Sequence, residues 1–256
     1  MKLLETSDLT VNFGGLKAVD GVNAHIEEGE ILSIIGPNGA GKTTFFNLVT
    51  GFINPTRGKV LFIDEDITNA PPYKIADKGI IRTFQKTNIF AEVTVNESVS
   101  IGFHKKRHCG VVQILIKGKQ ARREELDVDQ GTEDILRFTG LKDWSAFLGK
   151  NLPYGKQRIL EIAVALAASP RLLLLDEPAT GLNPKETQEL IKLIKRIRDN
   201  GMTICIIEHD MKVVTGISDR VIVLNYGEKI AEGTPRDISQ NTMVIEAYLG
   251  KGFAHA

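Results

Sequence analysis

The chain has 256 residues, 42% of them hydrophobic, and carries 32 basic and 32 acidic side chains. This length can bury one sizeable core, or one core and a smaller lobe. A formal net charge of zero provides no global basic field for nucleic acid and no acidic excess typical of disorder. No apolar run approaches the roughly 20 residues of a membrane span, and charge near the N-terminus argues against a signal peptide. Work at a membrane would therefore require a partner.

Taken from the N-terminus, the first 70 residues predict mostly strands. Leu9, Val11 and Phe13 alternate with polar residues, which is the period of a half-buried strand. Residues 31–35 form a short apolar run of the kind that is buried on both faces of a sheet. A helix is expected over residues 42–50, directly after a glycine-rich loop.

The loop between this strand and this helix matches the pattern G-x-x-x-x-G-K-[ST] in the strand–loop–helix context that a phosphate-binding loop needs. Its glycines allow backbone N–H groups to surround phosphates, and the helix N-terminus adds a partial positive charge. We expect Lys42 to reach the β and γ phosphates of ATP and the Thr43 hydroxyl to ligate Mg²⁺. The predicted nucleotide-binding residues in this segment are Gly36, Pro37, Asn38, Gly39, Ala40, Gly41, Lys42, Thr43 and Thr44.

The character of the chain changes over residues 96–150, where strand signals become rare and polar clusters appear. This change predicts a helical lobe inserted into an α/β core. We interpret residues 1–256 as one domain, with its core at 1–87 and 166–256 and a helical subdomain at about 88–165.

The apolar run 172–175 predicts another strand buried on both faces. Two carboxylates, Asp176 and Glu177, follow it directly. Ligands bind at the carboxyl ends of strands in open α/β sheets. Asp176 suits a Mg²⁺ site through water, and Glu177 suits a general base that polarises an attacking water. Two acids after a strand can also be an ordinary solvated strand end, but the phosphate-binding loop favours the catalytic interpretation.

The next helix carries its own start signals. Asn183 is expected to cap its N-terminus, with Pro184 at the first helical position and Glu186 completing a box-like cap. Apolar residues at helical spacing follow, and residues 203–207 and 221–224 predict two further strands.

The ordered set of motifs resembles the ATPases of ABC transporters over nearly the whole chain. It comprises the phosphate-binding loop, Arg82-Thr83-Phe84-Gln85, Leu152-Pro153-Tyr154-Gly155-Lys156-Gln157-Arg158, Leu175-Asp176-Glu177-Pro178 and Glu208-His209-Asp210. Within that family the chain is most similar to the ATP-binding subunits of branched-chain amino acid importers. The narrower resemblance rests on segments such as Phe13-Gly14-Gly15, Thr50-Gly51-Phe52, Leu160-Glu161-Ile162-Ala163, residues 179–186 and residues 208–211 with 217–220.

The resemblance implies roles for residues that would otherwise be unremarkable, since a single Phe is usually core and a single Gln or His is usually a surface residue. Phe13 would stack on adenine, and Gln85 would ligate Mg²⁺, sense the lytic water and report to the membrane partner. His209 would contact the γ-phosphate and orient the water and Glu177. These three are therefore added to the predicted site, Gln85 and His209 as catalytic residues together with Glu177.

The resemblance also implies that the ATP site is completed by a second subunit. Leu152, Pro153, Tyr154, Gly155 and Lys156 would cap the γ-phosphate bound by that subunit, with a helix N-terminus directed at the phosphate. Pro153 replaces the serine usual in the family, and proline offers neither a hydroxyl nor an N–H.

In the loop that would cross the dimer interface, Asn183 stands where aspartate is common. Because an asparagine side chain carries no charge, the electrostatic coupling expected across the dimer interface is weaker than with aspartate.

The implied function is an Mg²⁺-dependent ATPase that energises import by ATP-driven closure of a dimer, at the cytoplasmic face of the cell membrane. Its implied partners are a second ATPase subunit, identical or paralogous, two membrane-spanning permease subunits and, indirectly, an extracytoplasmic solute-binding protein. Phe90 is interpreted as an anchor for the permease. Amide or urea import would look similar, and a mechanical ABC ATPase acting on nucleic acid is the remaining alternative, although no coiled coil, tandem cassette or basic surface supports it.

Overall fold

The computed structural model describes residues 1–83, 91–103 and 119–249. Gln85 and Phe90, for which the sequence suggests roles, lie outside the described residues. Within the part of the chain that is described, no helix is long and apolar enough to cross a membrane.

Ten strands occur in the described residues, numbered here in chain order. They are β1 (Lys2–Phe13), β2 (Leu16–Glu27), β3 (Ile31–Ile35), β4 (Arg57–Phe62), β5 (Glu65–Asp66), β6 (Ile80–Arg82), β7 (Leu172–Asp176), β8 (Thr203–Ile207), β9 (Arg220–Asn225) and β10 (Glu228–Gly233).

Nine α-helices occur in the same described part of the chain, numbered likewise in chain order. They are α1 (Lys42–Val49), α2 (Pro72–Lys78), α3 (Val95–Gly102), α4 (Lys119–Thr139), α5 (Tyr154–Ala167), α6 (Pro184–Asp199), α7 (Met211–Ile217), α8 (Pro235–Ser239) and α9 (Thr242–Leu249), with short 3₁₀ turns at Lys142–Trp144 and Gly149–Asn151.

Two compact units divide the chain. The first comprises Met1–Arg82, Arg171–Gly181 and the chain from Thr187 onward, and the second comprises Thr83–Pro170 and Leu182–Glu186. The polypeptide therefore leaves the first unit and returns to it twice.

A six-stranded sheet forms the centre of the first unit, in the order β10-β9-β3-β8-β7-β6. The five strands from β9 to β6 are parallel, and β10 pairs antiparallel with β9. Every residue of β3, β7 and β8 is buried, as the apolar runs predict for strands covered on both faces. The strands expected at 31–35 and 203–207 are confirmed at both ends.

The N-terminal strands form a separate antiparallel sheet in the order β2-β1-β4-β5. Arg220 links this sheet to the parallel one, because its guanidinium bonds Glu30 at 2.6 Å and donates to the His25 carbonyl at 2.7 Å. The predicted α/β class, with an antiparallel lobe and helical insertions, is confirmed.

The second unit is built on packing between α3, α4 and α5. Helix α3 begins at a capping box in which Thr94 and Glu97 satisfy each other's backbone N–H groups. Gly102, at its end, lies so close to α5 that an added Cβ would come within 2.6 Å of the Ala167 Cβ. Small residues at this contact allow the two helices to approach each other.

Candidate functional site

The glycine-rich loop connects the carboxyl end of β3 to the first turn of α1, as its sequence predicts. Two of its glycines cannot be replaced without moving the backbone. A Cβ on Gly36 would lie 2.1 Å from the Leu224 carbonyl oxygen, and one on Gly41 would lie 2.4 Å from that of Ala18. Both also have positive φ angles, 150° and 100°, which L side chains disfavour. The shape of the loop is therefore fixed by its neighbours.

Lys42 is the first residue of α1, and its side chain is buried against the loop that precedes it. Its ammonium group donates to the carbonyl oxygens of Gly36 at 2.7 Å and of Pro37 at 3.0 Å. Burial lowers the pKa of Lys42, and the nearby carboxylates of Glu177 and Asp176 oppose that shift. One cation is thus placed beside the loop and within electrostatic reach of both predicted carboxylates.

The start of α1 has the chemistry of an anion site. Gly41 occupies the N-cap position without a side-chain cap, and no acidic residue lies in the first turn. Thr43 is exposed and Thr44 half-buried in that turn, so both hydroxyls lie beside the loop. Helix N-termini with free amides favour phosphate groups.

Asp176 ends β7 with a carboxylate that is only 2% exposed. Its Oδ2 accepts a hydrogen bond from Arg82 Nη2 at 2.7 Å, whereas its Oδ1 is buried and has no hydrogen-bond partner among the described residues. Burial raises the pKa of Asp176, and the Arg82 guanidinium is the strongest opposing influence. One carboxylate oxygen therefore remains available for an additional ligand.

Arg82 also belongs to the site, as the hydrogen-bond donor to Asp176, although its sequence context predicts no role for it. It ends β6, and its other arm donates to Asn47 Oδ1 at 2.7 Å while its guanidinium lies 5.4 Å from the centre of the Phe46 ring. Asn47 and Phe46 belong to α1, so Arg82 joins the helix of the phosphate-binding loop to the strand that ends at Asp176. The sequence shows an arginine at position 82, but its partner Asp176 lies 94 positions further along the chain, so the pairing could not be predicted from local patterns.

We expect Arg82→Ala to destabilise the protein by about 3 kcal/mol, because it leaves the Asp176 carboxylate buried without its counter-ion. Arg137→Ala is the matched control. That arginine pairs with Glu133 on the surface, with side chains 64% and 36% exposed, and its removal should change stability by less than about 1 kcal/mol. Urea unfolding followed by circular dichroism measures both, and equal unfolding midpoints would contradict a structural role of the buried pair.

Glu177 follows Asp176 with an unusual backbone. Its φ is +48°, in the left-handed region that non-glycine residues rarely occupy. Its N–H donates to the Ile207 carbonyl at 2.9 Å, which fixes the residue beside the end of β8. The side chain is half-buried, and the Thr180 hydroxyl donates to its Oε2 at 3.4 Å.

His209 lies two residues beyond the end of β8, and its side chain is exposed. Its backbone N–H donates to the carboxylate of Glu208 at 3.2 Å. Asp210 caps the following helix by accepting from Lys212 N at 2.8 Å. Since β7 and β8 are adjacent and parallel, the segments that carry Glu177 and His209 emerge at the same edge of the sheet.

Phe13 ends β1 at the tip of the β1–β2 hairpin, opposite Leu16. Its side chain is 50% exposed, so it is not part of the core. The same hairpin carries Ala18, whose carbonyl oxygen limits the space around Gly41. An exposed aromatic ring is thus placed on the hairpin that borders the phosphate-binding loop.

The segment predicted to cap a second ATP lies in the second unit and begins α5. Leu152 is buried, Pro153 occupies the N-cap without a side-chain cap, and Tyr154 is exposed. Gly155 is buried, and a Cβ there would lie 2.8 Å from the Glu186 carboxyl group, which would have to move. Lys156 is half-buried and donates its N–H to the Pro153 carbonyl at 2.9 Å.

Asn183 caps α6 as the sequence predicts. Its Oδ1 accepts from the N–H groups of Lys185 and Glu186, each at 3.0 Å, and the Glu186 carboxylate accepts from Asn183 N at 3.0 Å. The side chain of Asn183 is consequently occupied in holding the helix end.

The first unit thus brings together the phosphate-binding loop after β3, a buried lysine and two carboxylates at the end of β7. Such an arrangement can bind a phosphate chain and, with the unpartnered Asp176 oxygen, an associated cation. Fold and site together define a P-loop nucleotide-binding protein.

Residues 19–180 match the family model described as ABC transporter, and residues 228–254 match one described as branched-chain amino acid ATP-binding cassette transporter. The chain belongs to the ABC transporter family, as one of its ATP-hydrolysing ATP-binding cassettes.

Curated relatives match the chain along nearly its whole length. It is 45% identical over 250 residues to the high-affinity branched-chain amino acid transport ATP-binding protein BraF of Pseudomonas aeruginosa, covering 97% of this chain and 98% of the relative. It is 46% identical, with the same coverage, to the corresponding protein LivG of Escherichia coli. A crystal structure of an ABC transporter cassette in its ADP conformation superposes with a TM-score of 0.85 at 32% identity, covering 98% of this chain and 100% of that one.

Proposed function

We propose that the chain is the ATPase subunit of an importer of branched-chain amino acids, and that two such subunits close on two ATP molecules to drive transport. The proposal is carried by the similarity to BraF and LivG, which extends over 97% of the chain. The family model matching residues 228–254 supports the same class of substrate. The subunit would act at the cytoplasmic face of the membrane, bound to two membrane-spanning permease subunits and served by an extracytoplasmic solute-binding protein.

ATP binding is assigned to the first unit. The backbone N–H groups of residues 36–44 and the Lys42 ammonium would hold the phosphates, and the exposed ring of Phe13 would stack on adenine. Lys42 already lies beside the loop, where it bonds two of its carbonyl oxygens.

Mg²⁺ would be held by the Thr43 hydroxyl, by Gln85 and by the phosphates, and through water by Asp176. The buried Oδ1 of Asp176, which has no partner among the described residues, fits this assignment. Mg²⁺ prefers oxygen ligands and retains several waters, so a few protein oxygens together with water and phosphate oxygens are a suitable set. When bound, the ion neutralises charge on the β and γ phosphates.

Hydrolysis is assigned to Glu177 as the general base. Its carboxylate would accept the proton of the water that attacks the γ-phosphorus, and His209 would contact the γ-phosphate and keep that water in line. The hydrogen bond from Glu177 N to the Ile207 carbonyl supports this role, because it fixes the base beside the strand that leads to His209.

The second nucleotide contact would come from the partner subunit. Leu152–Lys156 would cap the γ-phosphate bound across the dimer, using the amides at the start of α5, since Pro153 has no hydroxyl. Asn183 would lie in the loop that crosses the interface, but its side chain is engaged at the start of α6.

The transported solute is tested with the complete complex. The full chain, tagged and purified from membranes with its bound permeases, is reconstituted in liposomes with its solute-binding protein and ATP on the cytoplasmic side. We expect ATP-dependent uptake of labelled leucine, isoleucine and valine, and no uptake of urea or acetamide.

A complex that carries Glu177→Gln serves as the control for passive leak. Uptake of urea or acetamide instead of leucine would contradict the substrate class while leaving the ATPase assignment intact. Recovery of nucleic acid in place of membrane proteins would contradict the transport function itself.

A further inference from the structure

Glu208 places a carboxyl group in the interior of the first unit. It directly follows β8, all of whose residues are buried, and is itself 0% exposed. A carboxylate in such surroundings is strongly disfavoured unless hydrogen bonds satisfy it. The partners of Glu208 therefore show what this residue holds in place.

Backbone N–H groups from two segments satisfy this carboxyl group. Its Oε1 accepts from Ala179 N at 2.9 Å, and its Oε2 accepts from His209 N at 3.2 Å. Burial raises the pKa of Glu208, and the amides of Ala179, His209 and Asp210 oppose that shift. One side chain is thus shared between the loop after β7 and the segment that carries His209.

The loop after β7 is strained where Glu208 holds it. Glu177 has a φ of +48°, and backbone conformations of this kind persist only when the surroundings fix them. Two hydrogen bonds do so from the end of β8, one from Glu177 N to the Ile207 carbonyl at 2.9 Å and one from Ala179 N to Glu208. The second of these depends on a side chain and can be removed by mutation.

We propose that Glu208 is a positioning residue for ATP hydrolysis, whose carboxylate sets the position of Glu177 relative to His209. It fixes the Ala179 amide, which holds Glu177 in its left-handed conformation, and it fixes the peptide that carries His209. This inference rests on the proposed role of Glu177 as general base. Glu208 itself touches neither nucleotide nor water in this assignment.

A positioning role and a merely structural role predict different kinetics. Loss of position at Glu177 lowers kcat and leaves ATP binding intact, because the Lys42 ammonium bonds the phosphate-binding loop whereas the Glu208 carboxylate bonds Ala179 and His209. Loss of structure would lower ATP affinity, thermal stability and kcat together. A lowered kcat with unchanged ATP affinity therefore indicates a positioning role, and a parallel loss of kcat and ATP affinity indicates a structural one.

The test compares the full-length chain with Glu208→Ala and Glu208→Gln, using Mg·ATP as substrate. Glu208→Ala should lower kcat by at least roughly tenfold, since misplacing a catalytic group by about 1 Å can cost on the order of 100-fold. Glu208→Gln keeps one oxygen for Ala179 and should retain an intermediate kcat. The Kd for ATP should stay within about twofold of the unmodified chain in both, because no binding contact is removed.

Ile204→Val is the matched control, since it removes one buried methylene from the same strand at a distance from both loops. It should lower the melting temperature without lowering kcat. Wild-type kcat in Glu208→Ala, or a loss of ATP affinity parallel to the loss of kcat, would overturn the proposal. If Glu208→Ala does not fold, Glu208→Gln decides by the same two quantities.

Glu177→Gln, assayed in parallel, separates this inference from the function on which it rests. Wild-type ATPase activity in Glu177→Gln would exclude Glu177 as the general base and, with it, the premise of the positioning role. An inactive Glu177→Gln with a fully active Glu208→Ala would overturn only the positioning role.

Discussion

Replacing Glu177 with glutamine should lower ATP turnover by about 100-fold or more, with ATP binding retained. The substitution keeps the size of the side chain and its hydrogen-bonding capacity, and it removes only the carboxylate that accepts a proton. The backbone should be unaffected, because the hydrogen bond from residue 177 to the Ile207 carbonyl uses the main chain. A chain that binds ATP without hydrolysing it should accumulate as a closed dimer.

Steady-state phosphate release measures the loss of turnover, and light scattering with and without Mg·ATP measures the dimer. Glu228→Gln is a suitable control, because it makes the same chemical change at an exposed residue, the first of β10. The assignment fails if Glu177→Gln turns over ATP at the rate of the control, or if it no longer binds the nucleotide.

Replacing Lys42 with alanine should instead remove most of the ATP affinity and, with it, the ATPase activity. A charge-assisted hydrogen bond contributes about 1.5–3 kcal/mol, which corresponds to roughly 10- to 100-fold in Kd. Lys42 is the buried cation that bonds the carbonyl oxygens of Gly36 and Pro37, so its loss also removes the internal support of the loop.

Equilibrium dialysis with labelled ATP measures the affinity, and Lys192→Ala, at an exposed lysine of α6, is the control. Melting temperatures of both variants show whether the loop still folds. Unchanged ATP affinity in Lys42→Ala would exclude this lysine from the phosphate site. Glu177→Gln and Lys42→Ala are informative together. Glu177→Gln should abolish hydrolysis and keep ATP binding, whereas Lys42→Ala should abolish both.

Local patterns were enough to predict much of the fold. The apolar runs at 31–35 and 203–207 became strands with those bounds, because five consecutive apolar or small residues between turns are too short for a typical helix and suit a strand covered on both faces. The Asn183 cap was equally predictable, since it depends on residues within three positions of one another. The glycine-rich loop appears where its pattern places it, between β3 and α1.

Contacts between distant segments were not predictable from the same patterns. The Arg82–Asp176 ion pair exists because β6 lies next to β7, and strand order is not encoded in local periodicity. Glu208 looks in sequence like a polar residue at a solvated strand end, whereas a loop from the neighbouring strand covers it. The left-handed backbone of Glu177 likewise has no signature in its own side chain.

Arg82 is anchored at the point where the first unit ends. This arginine is bound by Asn47, Asp176 and the Phe46 ring, so it is immobilised on three sides at the last residue of β6. The next residue, Thr83, already belongs to the second unit. The chain therefore leaves the first unit from a residue whose side chain is tied both to the helix of the phosphate-binding loop and to the strand that carries Asp176.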